Sequence, residues 1–316
     1  MFTCHYSAER FRYLHTELQN SAMFNRVGGE KLRKTASCYG PDFNVYIDTS
    51  DGVNEDLEIN EYCGRILKVV EECDGKPFLF FKSAHSPEKS KDIIKIAEEN
   101  DGKVIPFFKW SFNDNFYSHL IPNRKDLMRE HIAKEKKYSI GFFSGLKKYD
   151  YPRPDKQEPL VAWTDHKNFN LGSGKDTGFF EIKTRQMLHD KIKESDFSLS
   201  FHEKLEYEKY IENSFSCKAI INPPGMGEYT SRMFDQCFLG QCVVLRKTSY
   251  DFGHTTKNHL PEVDFNKDGW EDDLQSIIDN HGEWAEKAFE YFQNYWTPKA
   301  LVEYLITKVY TEGDEL

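Results

Sequence analysis

Ile221-Asn-Pro-Pro-Gly-Met-Gly-Glu-Tyr-Thr-Ser-Arg-Met-Phe-Asp-Gln-Cys-Phe-Leu-Gly-Gln-Cys-Val-Val-Leu245 is the stretch from which the fold can be read. An apolar strand, Ala219–Ile221, runs into a loop with two prolines and two glycines, and a polar helix opens at Thr230 or Ser231. Leu239-Gly240 closes that helix, and Cys242-Val243-Val244-Leu245 reads as a buried strand. The start of a helix exposes unpaired backbone N–H groups and the positive end of its dipole, so this strand–loop–helix–strand unit suits a phosphate. Arg232 and Asp235 lie three residues apart, on one face of the helix just inside its start. Arginine can grip a diphosphate there, and aspartate can accept hydrogen bonds from ribose hydroxyls. An ordinary α/β unit carrying a solvated Arg–Asp pair is the other reading of the same pattern.

Working outward, the 316 residues are enough for two domains, each with its own core. A hydrophobic fraction of 39% beside 30% charged residues is that of a water-soluble globular chain, and an aromatic content of 15% supplies stacking surface for sugars or bases. The formal net charge of -10 opposes nucleic-acid or anionic-membrane binding, so an anionic ligand must be held by local cations. No run approaches the roughly 20 apolar residues of a membrane span, and the polar N-terminus does not read as a signal peptide. The expectation is a soluble, cytoplasmic protein. Seven cysteines, odd in number and without C-x-x-C spacing, fit reduced thiols. The terminal Gly313-Asp-Glu-Leu316 reads as a frayed acidic tail.

Along the chain, residues 1–40 show no clear period beyond a helix around Ala8–Asn20. Phe43–Asp48 reads as a strand ending in the polar loop Asp48-Thr-Ser-Asp51-Gly52. A helix (Glu61–Cys73), a strand (Pro77–Phe81), a loop with His85, a helix (Lys89–Glu99) and a strand (Val104–Lys109) follow. This alternation predicts a parallel sheet with helices on both faces. The pattern loosens past Trp110, and a boundary near Ala133–Lys137 separates a domain 1–136 from a domain 137–296. The second series opens with Ser139-Ile-Gly-Phe-Phe-Ser-Gly145, an apolar strand running into a turn followed by Lys147 and Lys148. Leu160–Trp163 reads as a further strand, Thr184–Glu194 and Glu203–Asn213 as helices, then Gly269–Asn280 and Glu283–Trp296 after the opening unit. Thr297-Pro298 has the signature of a helix start, so residues 297–316 are expected to form a last helix crossing back to the first domain.

Several chemistries are missing. Gly172-Ser-Gly174-Lys175-Asp176-Thr177 looks like a phosphate loop, but position 169 is Phe where Gly is required, and Asp176 takes the place of the magnesium-binding hydroxyl. There is no H-E-x-x-H, no zinc-like Cys/His spacing and no G-x-S-x-G elbow. Gly225-Met-Gly227-Glu-Tyr-Thr230 lacks the third glycine of a dinucleotide fingerprint. No Asp-x-Asp pair is present to hold a divalent ion beside a diphosphate.

Tyr210-Ile-Glu-Asn-Ser214-Phe215-Ser-Cys217, then Pro223-Pro224-Gly225, Ser231-Arg232, Phe234-Asp235 and Gly240-Gln-Cys242-Val243-Val244 together resemble the donor-binding core of exostosin-like glycosyltransferases. Ile140-Gly-Phe142-Phe143-Ser-Gly145 resembles that family's way into its second domain. Val243 stands where the family usually has Pro, and Asp235 where Glu is commoner. The resemblance implies a GT-B architecture, two Rossmann-like domains facing a cleft, with the C-terminal one binding a sugar nucleotide and the N-terminal one the acceptor. It also implies an inverting, metal-independent transfer from a nucleoside-diphosphate sugar, in first place a UDP sugar, to a glycan or glycoprotein hydroxyl. Family members often carry a Golgi anchor; a soluble bacterial or large-virus enzyme, in the host cytoplasm if viral, fits this chain better.

In such a transfer a carboxylate or histidine deprotonates the acceptor. Asp51 and Asp48 at the predicted strand end lead, followed by His85 and Asp114. Donor contacts are expected from Arg232, Ser231, Thr230, Asp235, Glu228 and Gly225 in the opening unit, and from Gly145, Lys147 and Arg185 elsewhere in its domain. No metal or other cofactor is expected. A non-catalytic carbohydrate- or nucleotide-binding module is the alternative, and a dinucleotide-dependent oxidoreductase the more distant one.

Overall fold

The computed structural model describes residues 1–9, 11–12, 14–32, 35–48, 59–83, 85, 90–108, 133–146, 180–203, 205–223, 231–247 and 259–316. The chain divides into two units: Met1–Asn113 with Ser249–Thr255 and Asn294–Leu316, and Asp114–Thr248 with Thr256–Gln293.

In the first unit, β1 (Phe2–His5), β2 (Phe24–Gly28), β3 (Thr35–Tyr39), β4 (Asn44–Asp48), β5 (Phe78–Ser83) and β6 (Gly102–Phe107) form one sheet in the order β2-β1-β3-β4-β5-β6. A short α1 (His15–Asn20) lies between β1 and β2. β4, β5 and β6 pair in parallel, joined through α2 (Ile59–Cys73) and α3 (Lys91–Glu98). Tyr46, Phe78 and Phe80 on one face of the sheet pack against Ile66, Val69 and Cys73 of α2 and Ile93 and Ala97 of α3. β5 is buried along its whole length, which is why its first four residues, Phe78–Phe81, read as an unbroken apolar run and not as alternation.

The first forty residues differ from expectation. The helix is confined to His15–Asn20, and three strands surround it, with β3 antiparallel to both β1 and β4. The pairing sets Cys4 opposite Cys38, and the two form a disulfide across the sheet. The reading of every cysteine as a reduced thiol is corrected for this pair: it rested on spacing along the chain, whereas the bond follows from the register of two strands. Cys73, Cys217, Cys237 and Cys242 are buried and unbridged.

The second unit holds β7 (Tyr138–Phe143), β8 (Leu199–His202), β9 (Cys217–Asn222), β10 (Cys242–Arg246) and β11 (Glu262–Val263), all parallel, in the order β11-β10-β9-β7-β8. α4 (Phe180–Glu194) precedes β8 and α5 (Tyr207–Phe215) precedes β9, while α6 (Ser231–Phe238) joins β9 to β10. Leu188 and Ile192 of α4 pack on the face carrying Ile140, Phe142, Ala219 and Ile221. Tyr210 of α5 packs on the opposite face, with Phe143, Cys217 and Ile220. Right-handed crossovers running in opposite directions along a sheet put their helices on opposite faces. The order of strands therefore reverses between β7 and β9, and the carboxyl ends of these two strands are where sheets of this kind bind ligands. Gly240 takes φ 67° just beyond α6, a left-handed turn suited to glycine, and ends the helix where its sequence predicted.

α7 (Trp270–Asp279) adds Leu274, Ile277 and Ile278 to the larger core, and α8 (His281–Tyr291) adds Ala285. A π-helical turn, Phe292–Trp296, leads from α8 to α9 (Pro298–Gly313). Thr297 caps α9, its hydroxyl oxygen accepting from the Ala300 amide at 3.2 Å. The Tyr304 hydroxyl of this helix donates to the Pro106 carbonyl of β6. Among the described residues, no helix is long and apolar enough to cross a membrane.

Candidate functional site

β7 ends at Phe143 beside the end of β9, whose register sets Phe142 against Ile221. Arg232, the second residue of α6, donates from its guanidinium to the Phe143 carbonyl. A side chain from the helix that follows β9 thus reaches the end of β7, across the point where the strand order reverses. The neighbouring turn is held in the same way: Arg185 of α4 donates to the Gly145 carbonyl at 3.4 Å.

Between those two carbonyls lies Ser144. It is 1% exposed, and its hydroxyl has no hydrogen-bond partner. The Phe143 ring stands edge-on to Tyr210, with centroids 5.6 Å apart, and lies parallel to the ring of His202 at 6.0 Å. Leu146, beyond the turn, packs against the apolar core. The end of β7 is therefore anchored by side chains on both sides of Ser144.

Asp235 lies one turn after Arg232 and is 9% exposed. Both charges act on the buried Tyr210 phenol. Burial pushes its pKa above the ordinary value, the Asp235 carboxylate adds to that rise and the Arg232 guanidinium opposes it. Tyr210 is a neutral hydroxyl at physiological pH. Arg232 and Asp235 are thus parts of a packed cluster, not the solvated surface pair that the pattern alone also allowed.

Of the residues expected from the sequence, the structure gathers Arg232, Asp235, Gly145 and Arg185 at this end of the second sheet. Ser231 begins α6, and its side chain is not among those described. Thr230, Glu228, Gly225 and Lys147 lie outside the described residues, as do Asp51, Asp114 and the phosphate-loop lookalike. Ser144 and His202 were not singled out by sequence. A hydroxyl directly after an apolar strand, followed by glycine, was the available signal for Ser144. His202 closes a strand of four residues, too short for the alternation of Leu199 and Phe201 to reveal it.

The carboxyl end of the first unit's sheet is also polar, but enclosed. Asp48 has no exposed surface; its Oδ1 meets Arg65 at 3.2 Å and its Oδ2 meets Lys82 at 3.2 Å. Lys82 sits directly across from it in the β4–β5 register, and the Lys82 ammonium also donates to the Ser83 carbonyl at 2.5 Å. Both carboxylate oxygens are engaged by cations. Asp48 does not present its side chain to a ligand as a polar strand end was expected to do, because the sheet register places a lysine beside it. His85 is 5% exposed, close behind β5.

Burial raises the thiols of Cys73 and Cys217 to about 11, so neither is a thiolate nucleophile at neutral pH. Among the described residues, no group of three or more His, Cys, Asp or Glu is arranged to hold a metal ion.

No family model matches the chain, and no curated protein matches it. Among solved structures it is similar to WaaG, a glycosyltransferase involved in lipopolysaccharide biosynthesis, at 13% identity and a TM-score of 0.38, over 93% of this chain and 81% of that one. It is also similar to Anabaena Alr3699/HepE, solved in complex with UDP-glucose, at 13% identity and a TM-score of 0.35, over 81% of this chain and 84% of that one.

Proposed function

We propose that the protein is a glycosyltransferase of GT-B architecture, transferring a sugar from a nucleoside-diphosphate sugar, in first place a UDP sugar, to a hydroxyl of a glycan or glycoprotein. The observation that carries this reading is the reach of Arg232 from the start of α6 to the Phe143 carbonyl, which puts a guanidinium at the strand-order reversal of a parallel sheet. A leaving diphosphate needs its growing negative charge offset, and preorganised cations at a helix start do so with little rearrangement. Arg232 and Arg185 supply that charge in this reading, so the transfer needs no metal ion. Asp235 is assigned to the ribose hydroxyls.

The transfer proceeds with inversion: the acceptor hydroxyl attacks the anomeric carbon opposite the departing diphosphate while a base removes its proton. Asp51 is the proposed base, with His85 and Asp114 the other candidates. Asp48, engaged by two cations, is assigned to holding them.

The test is release of UDP from a panel of UDP sugars, with and without EDTA, beside thermal unfolding in the presence of UDP. Expected are turnover with at least one sugar, equal rates with EDTA, and stabilisation of about 2.7 kcal/mol at a UDP concentration a hundred times its dissociation constant. Protection without turnover on any sugar or acceptor would convert the reading to a non-catalytic binding module. If no UDP sugar is consumed and UDP gives no protection at millimolar levels, the proposal fails.

A further inference from the structure

We infer that the acceptor is acidic, a glycan whose terminal sugar carries a carboxylate or a phosphate, and that Arg65 of α2 recognises that group. The inference rests on the nucleotide-sugar reading above and goes beyond it by naming the chemical class of the second substrate.

Arg65 meets Asp48 through Nη1 at 3.2 Å, and its side chain stays 38% exposed. Asp48 has no exposed surface, and its other oxygen is taken by Lys82, itself 2% exposed. A guanidinium carries five N–H donors, so the Asp48 contact leaves the edge made by Nη2 and Nε outside it. The buried partner also fixes where the guanidinium stands, because Asp48 is held by β4 and, on its other oxygen, by the lysine directly across from it in the β4–β5 register. An arginine ordered in advance loses less freedom on binding, and its planar fork takes two oxygens of a carboxylate or phosphate at once.

Its place favours a ligand. Asp48 ends β4 and Lys82 lies one residue short of the end of β5, so Arg65 reaches the carboxyl end of two parallel strands, where sheets of this kind bind ligands. The donor diphosphate is assigned to Arg232 and Arg185, both in the second unit, so Arg65 in the first unit is a cation for a different anion. In a chain of net charge -10, an acidic sugar is repelled unless a local cation holds it. The rival explanation is an arginine that only completes an ion cluster, in which case it would read no charge on a sugar.

Ligand-observed NMR titrations of the full chain with methyl glucoside, methyl glucuronide and methyl glucoside 6-phosphate, beside calorimetry with UDP, separate the two. The three sugars differ only at C6. The wild-type chain should bind the glucuronide or the phosphate about tenfold tighter than the neutral sugar, and the tighter of the two names the acidic group. Arg65→Gln should bring that ligand to within about twofold of the neutral sugar while leaving the affinities for the neutral sugar and for UDP unchanged, which general unfolding would not do. Arg65→Lys, which keeps the charge and loses the fork, should retain part of the preference. With UDP bound, a wild-type chain without an acidic preference, or an undiminished preference in Arg65→Gln, would overturn the role of Arg65 and leave the functional reading standing. Equal loss of neutral and acidic sugars in Arg65→Gln would make the arginine structural and overturn the inference as well. A wild-type chain that binds no UDP would remove the functional reading, and this inference with it.

Discussion

Asp48 shows how burial decides what a residue can do. Its Oδ2 contact with Lys82 joins two side chains that are 0% and 2% exposed, whereas Arg65 on Oδ1 is 38% exposed and screened by solvent. Asp48→Asn would leave the Lys82 ammonium buried without its carboxylate, at an expected cost of about 3–5 kcal/mol in urea unfolding. Asp51→Asn, at the proposed base, should instead preserve stability and donor affinity while turnover disappears. If Asp48→Asn unfolds at the wild-type midpoint, the ion cluster is not structural. Lys136 carries a pH-dependent counterpart in the second unit. Its ammonium donates to the Phe215 carbonyl at 3.3 Å, and burial pushes its pKa down to about 8 from 10.5. Between those values the unfolded chain binds more protons than the folded one, so stability rises with pH through that window. Lys136→Met should therefore be more stable than wild type at neutral pH, and the gap should narrow toward pH 10.5. A gap that stays constant in denaturation series across this range would refute the burial account.

At the scale of elements, legibility follows length and burial. Within β5, β7, β9 and β10 the stretches Phe78–Phe81, Ile140–Phe143, Ala219–Ile221 and Cys242–Leu245 are apolar runs buried on both faces, and Gly240 at φ 67° is a stop signal of the helix before β10. β1 and β8 have four residues each, and neither is uniformly buried. Such strands exist because partners far away in sequence accept their hydrogen bonds, and nothing local announces them. The same holds for the site. The start of α6 could be read, but the bond from Arg232 spans 89 residues and appears only when the sheet is assembled. The Cys4–Cys38 bridge, with a separation of 34 residues, belongs here too. Cys38→Ala should lower the stability of the first unit by about 3–4 kcal/mol through loop closure. Alkylation without reductant should leave two cysteines unmodified in the unfolded wild-type chain; modification of all seven would show that the bridge does not form. The Thr297 cap of α9 is smaller, and Thr297→Ala should cost about 1 kcal/mol.

The order of the chain through the whole molecule makes the first unit depend on the last residues. Asn294–Leu316 belongs to that unit although the whole of the second unit precedes it in sequence. Trp296 is fully buried and stacks on Phe108 at 5.3 Å, and α9 buries Leu301, Val302, Leu305 and Val309. Glu315 pairs with Lys103 at 2.7 Å, so the acidic end expected to fray is engaged, although an exposed pair adds little stability. The apolar contribution is larger: four buried aliphatic side chains are worth about 6–12 kcal/mol, comparable to the net stability of a domain. A chain ended at Gln293 should therefore lose hydrogen-exchange protection in β4, β5 and β6 while β7, β9 and β10 keep theirs. Because every described residue proposed to bind the donor lies in the second unit, UDP binding should survive this truncation, and the proposed sugar transfer, whose proposed base Asp51 lies in the first unit, should not. Full protection of β5 in the shortened chain would show that the first unit closes its core without α9.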